Sequence, residues 1–106
     1  MMFAKVSTSQ APGAIGPYSQ AIKTEKSLYI SGQTPVNPAS GKIDADSVEQ
    51  QAEQVMKNIG AILASQGMDY GNVVKTTCFL SDMKNFAAFN RVYGKRSYST
   101  LLFLRA

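Results

Sequence analysis

Seven apolar residues recur at helical spacing in the middle of the chain, and they constrain its fold more than any other feature. They are Val48, Ala52, Val55, Met56, Ile59, Ile62 and Leu63. This stripe predicts an amphipathic helix that buries one face against another element. Asp46 lies three residues before Glu49, a spacing typical of helix N-termini, and Gly67 is placed to end the helix.

Short segments of β-type sequence lie on both sides of this helix. Residues 18–22 and 27–32 predict two strands, which the polar residues 23–26 join as a hairpin. Residues 73–80 are rich in β-branched side chains and predict a buried third strand.

A second helix is predicted to begin after Asp82 and to end at Gly94. Near the end of the chain, the apolar run 101–104 suits a further strand. The order β-β-α-β-α predicts an α+β fold, a sandwich in which two helices pack on one face of a mixed sheet. A length of 106 residues favours a single domain over residues 1–106.

The composition excludes several kinds of chemistry. Histidine is absent, which excludes Ser-His-Asp hydrolysis, Cys-His catalysis and histidine zinc sites. Cys78 is the only cysteine, so the chain forms neither an internal disulfide nor a thiolate metal cluster. Because Cys78 falls within a predicted strand and no histidine activates it, a structural thiol is favoured over a nucleophile.

The same features bear on location. No apolar run approaches the roughly 18 residues needed to cross a bilayer. Residues 1–6 are too short for the apolar region of a signal peptide. Together with the lone cysteine, this predicts a cytoplasmic protein.

Positive charge is concentrated toward the end of the chain. Residues 83–106 hold five cations and no acid, whereas residues 1–82 hold six cations and seven acids. Such a basic segment can bind nucleic acid or an anionic ligand. A solvated surface is the other interpretation, because small domains often carry exposed arginines.

Three segments, at residues 14–21, 29–35 and 74–93, are specific when they are taken together. The first reads Ala-Ile-Gly-Pro-Tyr-Ser-Gln-Ala and the second Tyr-Ile-Ser-Gly-Gln-Thr-Pro. The third includes Lys-Thr-Thr-Cys-Phe-Leu-Ser-Asp-Met and Phe-Ala-Ala-Phe-Asn-Arg-Val-Tyr. In this order, over about residues 5–95, the chain closely resembles the RidA family, also called YjgF/YER057c/UK114 or endoribonuclease L-PSP.

The resemblance implies a chorismate-mutase-like fold. It also implies a homotrimer with sheets lining its centre, helices outside and ligand clefts between subunits. The activity implied is that of a 2-iminobutanoate/2-iminopropanoate deaminase, which hydrolyses reactive 2-imino acids and enamines to 2-oxo acids and ammonia. Neither a cofactor nor a metal is implied.

The resemblance also implies site residues. The catalytic candidates are Tyr18, Ser31 and Gln33, and the substrate-binding candidates are Gly32, Asn90 and Arg105. The chemistry suits these types, because an imino acid needs a cation for its carboxylate and polar groups that place a water. For Tyr18 and Asn90 a structural role is the alternative, in packing at a strand start or in a local hydrogen bond.

The end of the chain departs from the family pattern. Members carry a Pro-Ala-Arg-Ser segment and then a final strand with a glutamate, whereas here Arg105 lies between Leu104 and Ala106 and no acid follows Asp82. We expect a truncation or a frameshift, which the DNA read in all three frames would test. A less stable chain and a trimer that dissociates more readily than in full-length relatives are also expected.

Two other functions stay open. One is an endoribonuclease that inhibits translation, which the basic segment favours and which salt-dependent RNA cleavage would identify. The other is a non-catalytic trimer that binds a small carboxylate. A functional Arg105 would distinguish the deaminase from this binding protein.

Overall fold

The computed structural model describes residues 3–96 and 104–105. The described strands are β1 (Phe3–Val6), β2 (Ala21–Thr24), β3 (Leu28–Ile30), β4 (Cys78–Phe79) and β5 (Leu104–Arg105). The helices are α1 (Val48–Ser65) and α2 (Phe86–Arg96), with single 3₁₀ turns at Tyr70–Asn72 and Met83–Asn85. This confirms the predicted α+β class. In the described part of the chain, no helix has both the length and the apolar character to span a membrane.

The first three strands form an antiparallel sheet in the order β1-β2-β3. Because side chains alternate across a strand, one face of this sheet presents Val6, Ala21 and Ile30. These residues pack with Ala61 and Ile62 of α1, and Ala21 and Ile62 are completely buried. The hydrophobic core therefore lies between one sheet face and α1.

Helix α1 follows the predicted apolar stripe, but it begins one residue later than Asp46 would place it. Ser47 is the N-cap: its backbone is extended, and its hydroxyl accepts a hydrogen bond from the Gln50 N–H at 3.1 Å. The predicted end is confirmed, because Gly67 has a φ of 70° and its N–H donates to the Ala64 carbonyl.

Helix α2 is preceded by a 3₁₀ turn that Asp82 caps, its carboxylate accepting from the Lys84 N–H at 2.9 Å. The prediction that the helix ends at Gly94 is wrong, since α2 continues to Arg96. Gly94 does not have the positive φ that a glycine cap adopts. Buried Tyr93 anchors this helix, and its hydroxyl lies 2.6 Å from the Thr76 hydroxyl.

The third predicted strand is shorter than expected. Only residues 78–79 of the predicted 73–80 form a strand, which pairs in parallel with β5. Of the run 101–104, only Leu104 belongs to β5, and residues 101–103 lie outside the described residues. Strand directions are mixed as predicted, but the described strands form an antiparallel sheet and a separate parallel pair.

Candidate functional site

The antiparallel register of β2 and β3 assembles the first part of the candidate site. Ala21 pairs with Ile30, so the residues that precede β2 lie opposite those that follow β3. The Ser31 N–H donates to the Gln20 carbonyl at 3.0 Å, which extends the ladder by one residue. The Ser31 hydroxyl donates to the Ser19 carbonyl at 2.6 Å. The first two sequence motifs therefore meet at one end of this hairpin.

The junction is the place where the two motifs meet, at residues 18–20 and 31–33, and Tyr18 and Gly32 are exposed there. Tyr18 is 52% exposed, and its backbone N–H donates to the Gly16 carbonyl at 2.8 Å in a tight turn. Gly32 is exposed, and a Cβ built on it would meet nothing within 4 Å. Within the described residues, no group accepts a hydrogen bond from the Gly32 N–H. A phenol and a backbone donor are thus both accessible to a ligand.

The hydrogen bonds of Ser31 and Gln33 determine which donor and acceptor groups of these side chains remain available to a ligand. Because the Ser31 hydroxyl uses its only hydrogen on the Ser19 carbonyl, its oxygen is left as an acceptor. The Gln33 side-chain amide donates to the Ser31 carbonyl at 3.1 Å. Ser31 can therefore accept a hydrogen bond from a water or from an imine N–H, and Gln33 braces the backbone beside it.

Asn90 and Arg105 lie on other elements. Asn90 is exposed on α2, and its side chain makes no hydrogen bond to another described residue. The backbone of Arg105 pairs with Phe79 in the β4–β5 ladder, and its side chain lies outside the described residues. The structure thus brings together Tyr18, Ser31, Gly32 and Gln33, and it joins neither of the other two candidates to them through a described hydrogen bond.

Sequence reasoning missed a residue that holds this junction in place. Gln20 is 5% exposed, and its side-chain amide donates to the carbonyls of Thr8, Ala11 and Pro12 at 2.7–3.2 Å. Its side-chain oxygen accepts from the Thr8 N–H at 2.6 Å. Gln20 therefore ties the loop at residues 8–12 to the segment that carries Tyr18. The signal was its position inside the first motif, which by itself does not show burial.

Cys78 has the surroundings of a structural thiol. Partial burial raises the pKa of this thiol, and a hydrogen bond with the Thr76 side chain opposes the shift only in part. Because the thiolate is the nucleophilic form, a raised pKa lowers its reactivity at neutral pH. The environment of Cys78 agrees with the structural interpretation.

A cavity of about 290 Å³ lies elsewhere, between α1 and the loop at residues 35–45. Its polar lining includes Asn37, Asp44, Glu53 and Lys57, and it contains none of the candidate site residues. The junction that carries Tyr18 is instead open to solvent in the single chain. No cluster of three or more cysteine, aspartate or glutamate side chains suited to a metal ion occurs in the described residues.

The sequence matches the family model "Endoribonuclease L-PSP" over residues 8–100. The chain belongs to this family. It is 48% identical over 88 residues to the mouse protein named 2-iminobutanoate/2-iminopropanoate deaminase, with 83% of this chain covered. The family predicted from the three motifs is confirmed.

Solved structures of the RidA type share this fold. RidA from an Antarctic Psychrobacter is 35% identical, with a TM-score of 0.90 over 97% of this chain and 84% of its own. Escherichia coli TdcF, solved with bound serine, is 36% identical, with a TM-score of 0.87 over 97% of this chain and 85% of its own. The chain spans 65% of the length of the mouse relative.

Proposed function

We propose that this protein hydrolyses 2-imino acids such as 2-iminobutanoate and 2-iminopropanoate to 2-oxo acids and ammonia. The observation that carries the proposal is the junction of Tyr18, Ser31, Gly32 and Gln33 at an open surface. Similarity to a mouse protein named for this activity supports the same substrate class. A cytoplasmic location is part of the proposal, because the only cysteine is a free thiol.

The reaction needs little beyond the placement of a water. Water adds to the C=N carbon and one of its protons passes to the nitrogen, which gives a carbinolamine. The hydroxyl proton of this intermediate then passes to the nitrogen as the C–N bond breaks, which releases ammonia and leaves the 2-oxo acid. The Ser31 oxygen can accept a hydrogen bond from the attacking water, because its own hydrogen is bound to the Ser19 carbonyl. The Gly32 N–H and the Tyr18 hydroxyl are available as donors to the substrate. In this proposal Arg105 holds the carboxylate and Asn90 adds a polar contact.

An activity assay tests this assignment. The 2-iminopropanoate is generated by an amino acid oxidase, and its capture by semicarbazide is measured with and without the protein. We expect wild-type protein to lower semicarbazone formation, and we expect Arg105→Ala to reduce kcat/KM by about 100-fold, as for the loss of an oriented charged contact.

Ser31→Ala tests the described part of the site, and Ser19→Ala is its matched control. Ser31→Ala removes the acceptor oxygen, whereas Ser19→Ala keeps the backbone carbonyl to which Ser31 donates. We expect Ser31→Ala alone to lower kcat. Folded wild-type protein without activity would contradict the proposal and leave the carboxylate-binding alternative. Cleavage of RNA that weakens steeply with salt would favour the endoribonuclease instead.

The proposed enzyme is a homotrimer, and the sheet provides a surface for its assembly. The outer sheet face, opposite α1, presents Phe3, Lys5, Ile22, Thr24 and Tyr29. Phe3 and Tyr29 are 53% and 66% exposed, so large apolar side chains there lack a cover in the single chain. We propose that this face meets two further copies, as the RidA resemblance implies.

Tyr29→Lys tests the assembly, because it places a second cation on the outer sheet face, across Ile22 from Lys5. We expect this variant to sediment as a monomer at a concentration where the wild-type protein is a trimer. Ile43→Lys is the matched control, since Ile43 is 53% exposed and lies in a loop outside the strands of the sheet. Trimers of equal stability in all three proteins would exclude the outer sheet face as the interface.

A further inference from the structure

Asn58 is an amide buried in the middle of α1, where both its NH₂ group and its oxygen have hydrogen-bond partners. The residue is 1% exposed. Its side-chain NH₂ donates to the carbonyls of Thr34 and Val36, at 3.2 and 2.9 Å. Its oxygen accepts from the Gln54 side-chain amide at 2.9 Å. A buried amide with every group paired fixes the segments it joins, because breaking a pair leaves a polar group without a partner.

The segment that Asn58 holds has few other ties. Residues 34–36 follow β3 outside any strand, and Pro35 lacks the N–H needed to continue a ladder. Within the segment, the Val36 N–H donates to the Thr34 carbonyl at 2.8 Å, which shapes the turn but does not attach it to the rest of the fold. The two bonds from Asn58 attach this turn to α1, across more than twenty residues of sequence.

This turn directly follows the candidate site. Thr34 is next to Gln33, whose side chain braces the Ser31 carbonyl at 3.1 Å. Gly32 lies between Ser31 and Gln33 in the chain, and its N–H donates to no described residue. A shift of the turn at residues 34–36 therefore moves Gln33 and changes the direction in which the Gly32 N–H points.

We propose that Asn58 is a positioning residue for the candidate site, acting through the turn at residues 34–36 on Ser31, Gly32 and Gln33. It touches none of the three through a hydrogen bond, so its effect is indirect. The catalytic part of this inference rests on the proposed imine hydrolysis. The conformational part, that Asn58 fixes residues 32–36, stands on the hydrogen bonds alone.

The test compares Asn58→Leu with Gln54→Leu. Both remove the bond between the two side chains, but only Asn58→Leu releases the Thr34 and Val36 carbonyls. Amide hydrogen exchange is measured across residues 32–36, where Pro35 has no N–H and the Val36 N–H donates to the Thr34 carbonyl. The kinetics of 2-iminopropanoate hydrolysis are measured as well, for both variants under conditions where each is folded. Asn58→Asp is a third variant, which keeps the acceptor for Gln54 and loses the two donors.

We expect Asn58→Leu and Asn58→Asp to speed exchange at residues 32–36 and to lower kcat/KM by about 10–100-fold, as for a small misplacement of reacting groups. Gln54→Leu is expected to stay close to the wild type in both measurements. If Asn58→Leu does not fold, Asn58→Ser replaces it, because a serine hydroxyl is too short to hold both carbonyls. Exchange and kinetics that match those of Gln54→Leu would overturn the proposal.

The two measurements separate this inference from the proposed function. If the wild-type protein does not hydrolyse the imine, the proposed function fails, and the exchange data alone decide whether Asn58 fixes the turn. If the wild-type protein is active and exchange rises in Asn58→Leu without any loss of kcat/KM, the proposed function stands and the positioning role is refuted.

Discussion

Replacement of Gln20 by leucine is expected to destabilise the protein by about 2–4 kcal/mol. The substitution keeps the size of the side chain but leaves the Thr8 N–H and three backbone carbonyls, those of Thr8, Ala11 and Pro12, without their partner. Water can reach some of these groups once the loop opens, which sets the lower end of the range. The measurement is the free energy of unfolding in urea at one protein concentration, because the proposed trimer would make apparent stability depend on concentration.

Gln10→Leu is the matched control for this prediction. Gln10 is exposed in the same loop, and no described hydrogen bond involves its side chain. A surface change of this kind usually alters stability by less than about 0.5 kcal/mol. Equal unfolding free energies for Gln10→Leu and Gln20→Leu would show that the buried amide does not hold the loop.

Gln20→Glu adds a pH dependence with a definite sign. The introduced carboxyl keeps an acceptor for the Thr8 N–H but directs its other oxygen at three carbonyls, so burial and repulsion favour its protonated form. Its pKa in the folded protein is then raised above the ordinary value of about 4.3. Relative to the wild type, the variant is expected to lose stability as pH rises from that value through the raised pKa. A pH-independent difference would contradict this account.

The sequence predicts those parts of the fold that depend on local pattern. The stripe from Val48 to Leu63 lies within α1, and the αL glycine Gly67 follows the end of this helix. The N-cap is displaced by one residue: Asp46 and Ser47 are both good caps by residue type, and Ser47 is the one whose side chain accepts from its N3 amide, the Gln50 N–H. Strand length is harder to predict, because residues 73–77 have β-type sequence but no paired strand among the described residues.

The sequence likewise predicts one part of the candidate site and not another. Motif order predicts the group formed by Tyr18, Ser31, Gly32 and Gln33, which the β2–β3 register places at one end of a hairpin. The buried amide Asn58 was not predicted, although a signal was present. It lies four residues before Ile62 and two after Met56, within the face that α1 buries, and a polar residue there requires partners from another element. Those partners are backbone carbonyls, which no side-chain pattern reveals.

Gly60→Ala is expected to destabilise the protein by about 1–3 kcal/mol, although alanine is the better helix former. Gly60 lies inside α1, and a Cβ built there would be 2.5 Å from the Tyr70 hydroxyl oxygen. That hydroxyl donates to the Met56 carbonyl at 2.5 Å, so the ring cannot move aside without losing its bond. Urea unfolding of the variant at fixed protein concentration measures the cost.

Gly94→Ala is the control for this prediction, and Tyr70→Phe tests its physical cause. Gly94 lies in α2 with nothing within 4 Å of a built Cβ, so alanine there is expected to stabilise the protein by up to about 1 kcal/mol. Tyr70→Phe removes the oxygen that crowds Gly60, so Gly60→Ala should cost less in that background than in the wild type. Equal costs in the two backgrounds would show that the close approach of the Tyr70 hydroxyl is not what requires glycine at this position.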